Sequence, residues 1–332
     1  MNIFEPRDTV KPYEYPELIP FSKAIQHTPW TVEEHMVSLK ADELEFKTIL
    51  TDLEKEVIQK TMLAISHVEN SVKTFWGRID MRMPKPEVAF VGSTFAGNEV
   101  VHSFAYSELL SFLGLEGEFA KLMNIPAIAD RTKYLKRYIS GMSSRSNKEF
   151  TKSLILFTLL VENVSLFSQF LIISSFTKYK NSLKTISRII DSTAREEILH
   201  GKFGATLVGI IKKENPDWFD DEMEAKIRRG IRKSYRAEMK VLDWIFENGE
   251  LDFLTRNEIA EYLKLRLNDS LGLMGYDPEY DLDEKLLKKS EFLDIKLKST
   301  MDADFFDQRL SDYSTGRDCS IEAVFNINIK KV

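Results

Sequence analysis

The sequence predicts an all-α bundle, and three observations carry that expectation. Apolar residues recur at helical spacing through several long segments. No stretch alternates convincingly as a half-buried strand. Glutamate and histidine stand repeatedly in the middle of otherwise apolar helical faces. A helix turns about 100° per residue, so positions three, four and seven apart share a face. On a face that points inward a charged group needs a partner, because burying it alone is very costly.

Residues 1–30 contain Pro6, Pro12, Pro16, Pro20 and Pro29 and are expected to form an irregular N-terminal arm wrapping the surface. Trp30 closes the arm, and Thr31 is placed to cap a short helix through Glu33, Glu34 and His35. From about Thr51 to Arg78 the period is helical, with Thr51 or Asp52 as the cap. Met62, Ile65, Val72 and Trp76 share one face there, and Glu69 sits in its middle. After a loop marked by Pro84 and Pro86, a helix from about Glu87 to Phe112 carries Glu99, His102 and Tyr106 within about 60° of one another. Val88, Phe95, Leu110 and Leu113 lie on the same face, and Gly114 and Gly117 end the helix. Short helical pieces fill 117–141. One long helix, about Asn147 to Lys178, then places Glu162 among Leu159, Leu166 and Phe170. The next, about Ser182 to Lys213, sets Glu197 and His200 on a face with Ile190, Gly204, Val208 and Ile211. Asn215-Pro216-Asp217 breaks it, with Asp217 expected to cap a helix reaching about Phe246, and a last helix spans about Thr255 to Leu273. Beyond Asp277 the pattern weakens, and Tyr313 to Val332 reads as a mobile tail.

The composition narrows the function classes. With 332 residues, 43% hydrophobic and 30% charged, the chain fits a soluble globular protein. The expected division is an arm (1–30), a helical domain (31–290) and a C-terminal segment with its tail (291–332). A net charge of −6 argues against a broad nucleic-acid surface, and neither a GxGxxG nor a GxxxxGK[ST] phosphate loop is present. The single cysteine, Cys319, leaves no intrachain disulfide and suits a reducing cytoplasm. The N-terminus has no apolar signal core. Leu154 to Phe176 has the length and apolarity of a membrane span. Glu162, Asn163, Ser165, Ser168 and Gln169 interrupt it, so a buried central helix is the reading.

Four long helices therefore carry inward-facing ligand types. Two offer a lone glutamate, Glu69 and Glu162, and two offer Glu-x-x-His, as Glu99/His102 and Glu197/His200. This is the arrangement of ferritin-like dimetal-carboxylate proteins. Four carboxylates carry four negative charges, which two divalent cations neutralise, and mixed oxygen and nitrogen ligation suits manganese or iron. Singly, each motif has a plainer reading: a lone Glu-x-x-His arises by chance, and a lone glutamate pairs with a lysine, as Glu69 could with Lys73. The combination on apolar faces in order overrides it. His67, opposite Glu69 on its helix, reads as structural, and His27 and His35 as surface or packing residues. Tyr106, one turn beyond His102, is either a core tyrosine or a phenol near enough to the metals to be oxidised.

Over roughly residues 15 to 315 the chain resembles the small, radical-generating subunit of class I ribonucleotide reductase. The matching residues are Glu69; Glu99-x-x-His102 with Tyr106 four residues on; Glu162 with Leu166 and Phe170 lining an oxygen pocket; and Ala194-Arg-Glu-Glu-Ile-Leu-His200, in which Glu196 precedes Glu197. The resemblance implies a ferritin-like fold, a homodimer, and a tail that docks a large catalytic subunit. It also implies that an oxidising equivalent passes through Trp30 and Tyr313 to that subunit, where ribonucleotides are reduced. Easily oxidised aromatics divide a path too long for one tunnelling step. Glutamate at position 69, where aspartate is usual, resembles the subclasses with manganese–iron or dimanganese clusters. Retention of Tyr106 favours dimanganese, with manganese–iron and di-iron as alternatives. Glu196 stands where the family has aspartate, and the tail ends in the basic Ile-Lys-Lys-Val. Two rivals share the motifs: a ligand-binding oxidase acting on an apolar small molecule, and a metal-storage cage of many subunits.

Overall fold

The computed structural model describes residues 2–72 and 74–297, without the side chains of 70–72; Lys73, Tyr313 and Cys319 lie outside them. The helices are α1 (Ile19–His27), α2 (Met36–Thr48), α3 (Asp52–Val72), α4 (Pro86–Phe112), α5 (Glu116–Phe119), α6 (Pro126–Ile139), α7 (Asn147–Phe157), α8 (Phe167–Lys180), α9 (Lys184–Glu214), α10 (Asp221–Ile245), α11 (Arg256–Leu273) and α12 (Glu284–Leu287). Among the described residues no strand forms; Leu251 and Leu254 make an isolated bridge. The ferritin-like helical bundle is the observed class.

Packing places α3 against α4 and α8, and α9 against α4, α7 and α8, so these helices surround a common interior. Local chemistry fixes their starts. The Thr51 hydroxyl accepts from the Glu54 N–H at 3.3 Å while the Glu54 carboxylate accepts from the Thr51 N–H at 2.9 Å, a reciprocal cap for α3. Pro86 in the first turn of α4 gives up an N–H that has no intrahelical partner anyway. The buried Asp42 carboxylate of α2 accepts from the Thr185 and Ile186 N–H groups, both at 2.8 Å, and so caps α9 from outside.

Several expectations are corrected here. Residues 19–27 of the arm are helical, because Pro20 falls in the first turn, where proline is tolerated. Thr31 makes no side-chain cap, and α2 follows it; only Leu39 and Asp42 of α2 are buried, too narrow a stripe to show as a period. Trp76 sits on a short 3₁₀ helix (Trp76–Met81) beyond α3. Gly114, at φ +69°, ends α4, whereas Gly117 lies inside α5. Asp220 rather than Asp217 caps α10, its carboxylate accepting from the Met223 N–H at 2.8 Å.

The expected single helix over 147–178 is broken. A π-helical turn, Thr158–Glu162, follows α7, and α8 begins only at Phe167. The Ser165 N–H donates to the Leu160 carbonyl, five residues back, at 3.0 Å, and the Ser165 hydroxyl adds a bond to the same carbonyl at 2.7 Å. Every residue from Ser153 to Phe176 is buried inside the bundle, as expected of a core segment.

A buried ion pair braces this interruption. Arg131 of α6 and Glu238 of α10 are fully buried and 3.0 Å apart. The same guanidinium donates to the Ala64 carbonyl of α3 at 3.0 Å, to the Ser165 carbonyl, and to the Gln169 side chain at 3.2 Å. Arg131→Met should cost about 3–5 kcal/mol, because it strands Glu238 as an uncompensated buried charge. Denaturant unfolding of the two proteins measures it, and a loss below about 1 kcal/mol, the range of an exposed pair, would show that the pair braces nothing.

Candidate metal centre

The six side chains expected at the site come together. Glu69 arrives from α3, Glu99 and His102 from α4, Glu162 from the π turn, and Glu197 and His200 from α9. None is more than 1% exposed. They form two overlapping groups: Glu69, Glu99, His102 and Glu197; and Glu99, Glu162, Glu197 and His200. Within each group the ligand atoms lie within 4.8 Å of one another. Glu99 and Glu197 belong to both groups. The two lone glutamates and the two histidines each belong to one.

The distances are those of atoms gathered around shared centres. His102 Nδ1 lies 3.1 Å from Glu197 Oε1, 3.5 Å from Glu69 Oε2 and 3.6 Å from Glu99 Oε2. His200 Nδ1 lies 3.1 Å from Glu99 Oε1, and 3.5 Å from both Glu162 Oε2 and Glu197 Oε2. Close packing makes this possible. A Cβ at Gly204 of α9 would stand 2.1 Å from the Thr158 hydroxyl, and one at Gly201 would stand 2.5 Å from the Asn163 amide, so α9 can lie directly against the π turn.

Outer partners aim the ligands. His102 Nε2 is 2.7 Å from Glu196 Oε2, and His200 Nε2 is 3.1 Å from Asn98 Oδ1. Each residue preceding one motif's glutamate thus holds the other motif's histidine. With Nε2 donating outward, the neutral ring turns the lone pair of Nδ1 to the cluster. The Trp76 indole donates to Glu162 Oε1 at 2.9 Å and fixes that carboxylate. Asn98 and Trp76 join the site only in the folded structure. The usable signal for Asn98 was its place immediately before a Glu-x-x-His, matching Glu196.

Whether these residues fit metals is tested by their unpaired atoms. Both oxygens of Glu69 and of Glu99, Glu162 Oε2, Glu197 Oε1 and both Nδ1 atoms are buried without a hydrogen-bond partner. Such orphaned groups are rare in folded proteins, and here they all face one another. Burial pushes the Glu69 carboxyl up to about 8 and Glu162 well above its ordinary range. Burial works to lower both histidines, but the surrounding carboxylates outweigh it and raise them well. The protein matrix therefore leaves this cluster seeking positive charge, and its donor set of carboxylate oxygen and imidazole nitrogen fits two manganese or iron ions.

Around the cluster, the Trp30 indole donates to Glu196 Oε2 at 2.9 Å, and its ring stacks on His102 with centroids 6.2 Å apart. The Tyr106 hydroxyl is buried without a hydrogen-bond partner, and burial, then the Glu69 carboxylate, pushes its pKa well up. Leu166 and Phe170 are buried on the segment that follows Glu162. His67 bonds the Thr132 hydroxyl at 2.8 Å away from the cluster, and burial lowers its pKa to about 4.

Fold and site together define a ferritin-like helical protein with a buried carboxylate–histidine cluster suited to a dinuclear metal centre. The family description "Ribonucleotide reductase, small chain" matches residues 7–286, and the chain belongs to that family. A ribonucleoside-diphosphate reductase small subunit of Plasmodium falciparum is 24% identical over 326 residues, covering 94% of this chain and 92% of the relative. Among solved structures, the ribonucleotide reductase R2 subunit from Clostridium botulinum is similar at a TM-score of 0.76 and 20% identity, covering 86% of this chain and 89% of that one. The dimanganese(II)-NrdF of Streptococcus sanguinis is similar at 0.73 and 15% identity, covering 87% and 99%.

Proposed function

We propose that this chain is the radical-generating small subunit of a class I ribonucleotide reductase that holds two metal ions, with dimanganese as the native pair. The observation that carries the reading is the set of unpaired oxygen and nitrogen atoms facing one another in the core. When bound, the metal pair supplies one-electron oxidising power after reaction with an oxygen species.

The residues of this chain do the rest. Glu69, Glu99, His102, Glu162, Glu197 and His200 would hold the two metals, Glu69 and His102 in one ligand group, Glu162 and His200 in the other, and Glu99 and Glu197 in both. The closed helical interior excludes water from the oxidant. Glu196 joins His102 to Trp30 through a single oxygen, Oε2. An oxidised indole is a far stronger acid than the neutral one, and the Glu196 carboxylate stands where it can hold the Trp30 N–H proton. Glutamate therefore fills the role for which aspartate is usual. Trp30, half-buried, is the exit from the core, and Tyr313 in the C-terminal segment (291–332) is the next step toward the large subunit. The helical domain (31–290) carries the metals, and the chain works as a homodimer.

Glutamate at position 69 supports a cluster that stores the oxidant itself. Tyr106→Phe should then retain at least about half of the reductase activity, a change of less than 0.5 kcal/mol in barrier. Complete loss in a ribonucleotide reduction assay would assign the radical to Tyr106. Deleting residues 313–332 tests the functional reading. It should abolish ribonucleotide reduction with the large subunit and leave metal content unchanged. Full activity without the tail, or oxidation of an apolar small molecule with no large-subunit binding, would overturn the reading in favour of an oxidase.

A further inference from the structure

Away from the metal centre, α6, α7 and α10 enclose a groove of about 810 Å³. Its charge is unlike that of the rest of the molecule. In a chain of net charge −6, this groove is lined by eight lysines and arginines and two carboxylates. Five of the cations, Lys226, Arg229, Lys233, Arg236 and Lys240, lie on α10 at spacings of three and four residues, one stripe about 21 Å long. Lys133 and Arg137 face them from α6, and Lys152 from α7.

Half of these charges are already answered. Lys133 and Lys240 share Asp130 at 3.5 and 2.6 Å, Lys152 pairs with Glu149, and Lys226 pairs with Glu222 at 2.9 Å. Arg137, Arg229, Lys233 and Arg236 have no ion pair or side-chain hydrogen bond among the described residues. Four unanswered like charges around one concavity repel one another and raise the local concentration of anions. Ser140, Ser144 and Ser153 add hydroxyls to the same wall.

We propose that this groove binds an oligophosphate, as a free phosphate chain or as the phosphate tail of a nucleotide. Four unpaired cations match the three to four negative charges of a triphosphate, and guanidinium groups donate to phosphate oxygens in bidentate pairs. The volume lies within the range of small-molecule sites, about 300–1,000 Å³. The site is separate from the metal ligands and does not depend on their assignment.

Calorimetric titration of the full-length protein with tripolyphosphate and with ATP tests it. Saturable binding of one molecule per chain is expected, weakening steeply with salt. Arg137→Ala and Arg229→Ala should each weaken it at least tenfold, and Lys47→Glu, on α2, should not. Equal affinity for the two ligands assigns the site to the phosphate chain alone. Tighter binding of ATP adds a contact to the nucleoside. All three variants change exposed positions, and circular dichroism verifies their fold. The proposal fails if neither ligand binds saturably, if binding is indifferent to Arg137 and Arg229, or if only a DNA duplex or an acidic peptide binds there.

Discussion

Glu197→Ala should lower the metal content from two per chain to below one. Glu197 stands in both ligand groups, with Oε1 3.1 Å from His102 Nδ1 and Oε2 3.5 Å from His200 Nδ1. Truncating it would remove an oxygen donor from each ligand group and end the neutrality that two divalent cations would give four carboxylates. A ligand of one metal alone would imply loss of one ion; the place of Glu197 in both groups makes the effect larger. The fold should survive, since the metal-free core sheds one of its crowded buried carboxylates, and the helical dichroism should be unchanged. Metal analysis after dialysis checks the result. Two metals retained per chain would remove Glu197 from the ligand set.

The second large effect concerns the route out of the core. Trp30→Phe should reduce ribonucleotide reduction by at least about a hundredfold, equivalent to about 2.7 kcal/mol in barrier, with metal content and folding unchanged. Phenylalanine keeps the aromatic packing on His102 but removes the N–H that donates to Glu196, and its ring is much harder to oxidise. A purely structural Trp30 would instead tolerate the change with near-normal turnover. Assay with the large subunit, beside metal quantification of the same preparation, separates the two.

Much of this was legible in the sequence because helical period and burial are linked. Glu69, Glu99, His102, Glu162, Glu197 and His200 each stand on a face whose other members are apolar, so their inward direction follows from spacing alone. The π turn was not legible. From 154 to 176 every residue is buried, and a one-residue shift of register leaves no trace where all faces point inward. The helix α2 escaped because its buried stripe is two residues wide. Arg131 and Glu238 escaped for the opposite reason: a charged residue on a helix ordinarily faces water, and only the fold brings these two together across 107 positions. The outer partners lie between these cases. Glu196 was singled out by resemblance. Asn98 occupies the equivalent place before the other motif, but a polar residue one step from a ligand says nothing about which helix it will meet.

Whether the six side chains hold two metal ions as one coupled unit is tested most directly by one measurement. The full-length protein is loaded with manganese(II), activated, and examined by electron paramagnetic resonance with the metal quantified on the same sample. Two manganese ions per chain and a multiline signal from a coupled pair are expected, with no organic radical. One manganese per chain, or two giving the signal of isolated ions, would contradict it.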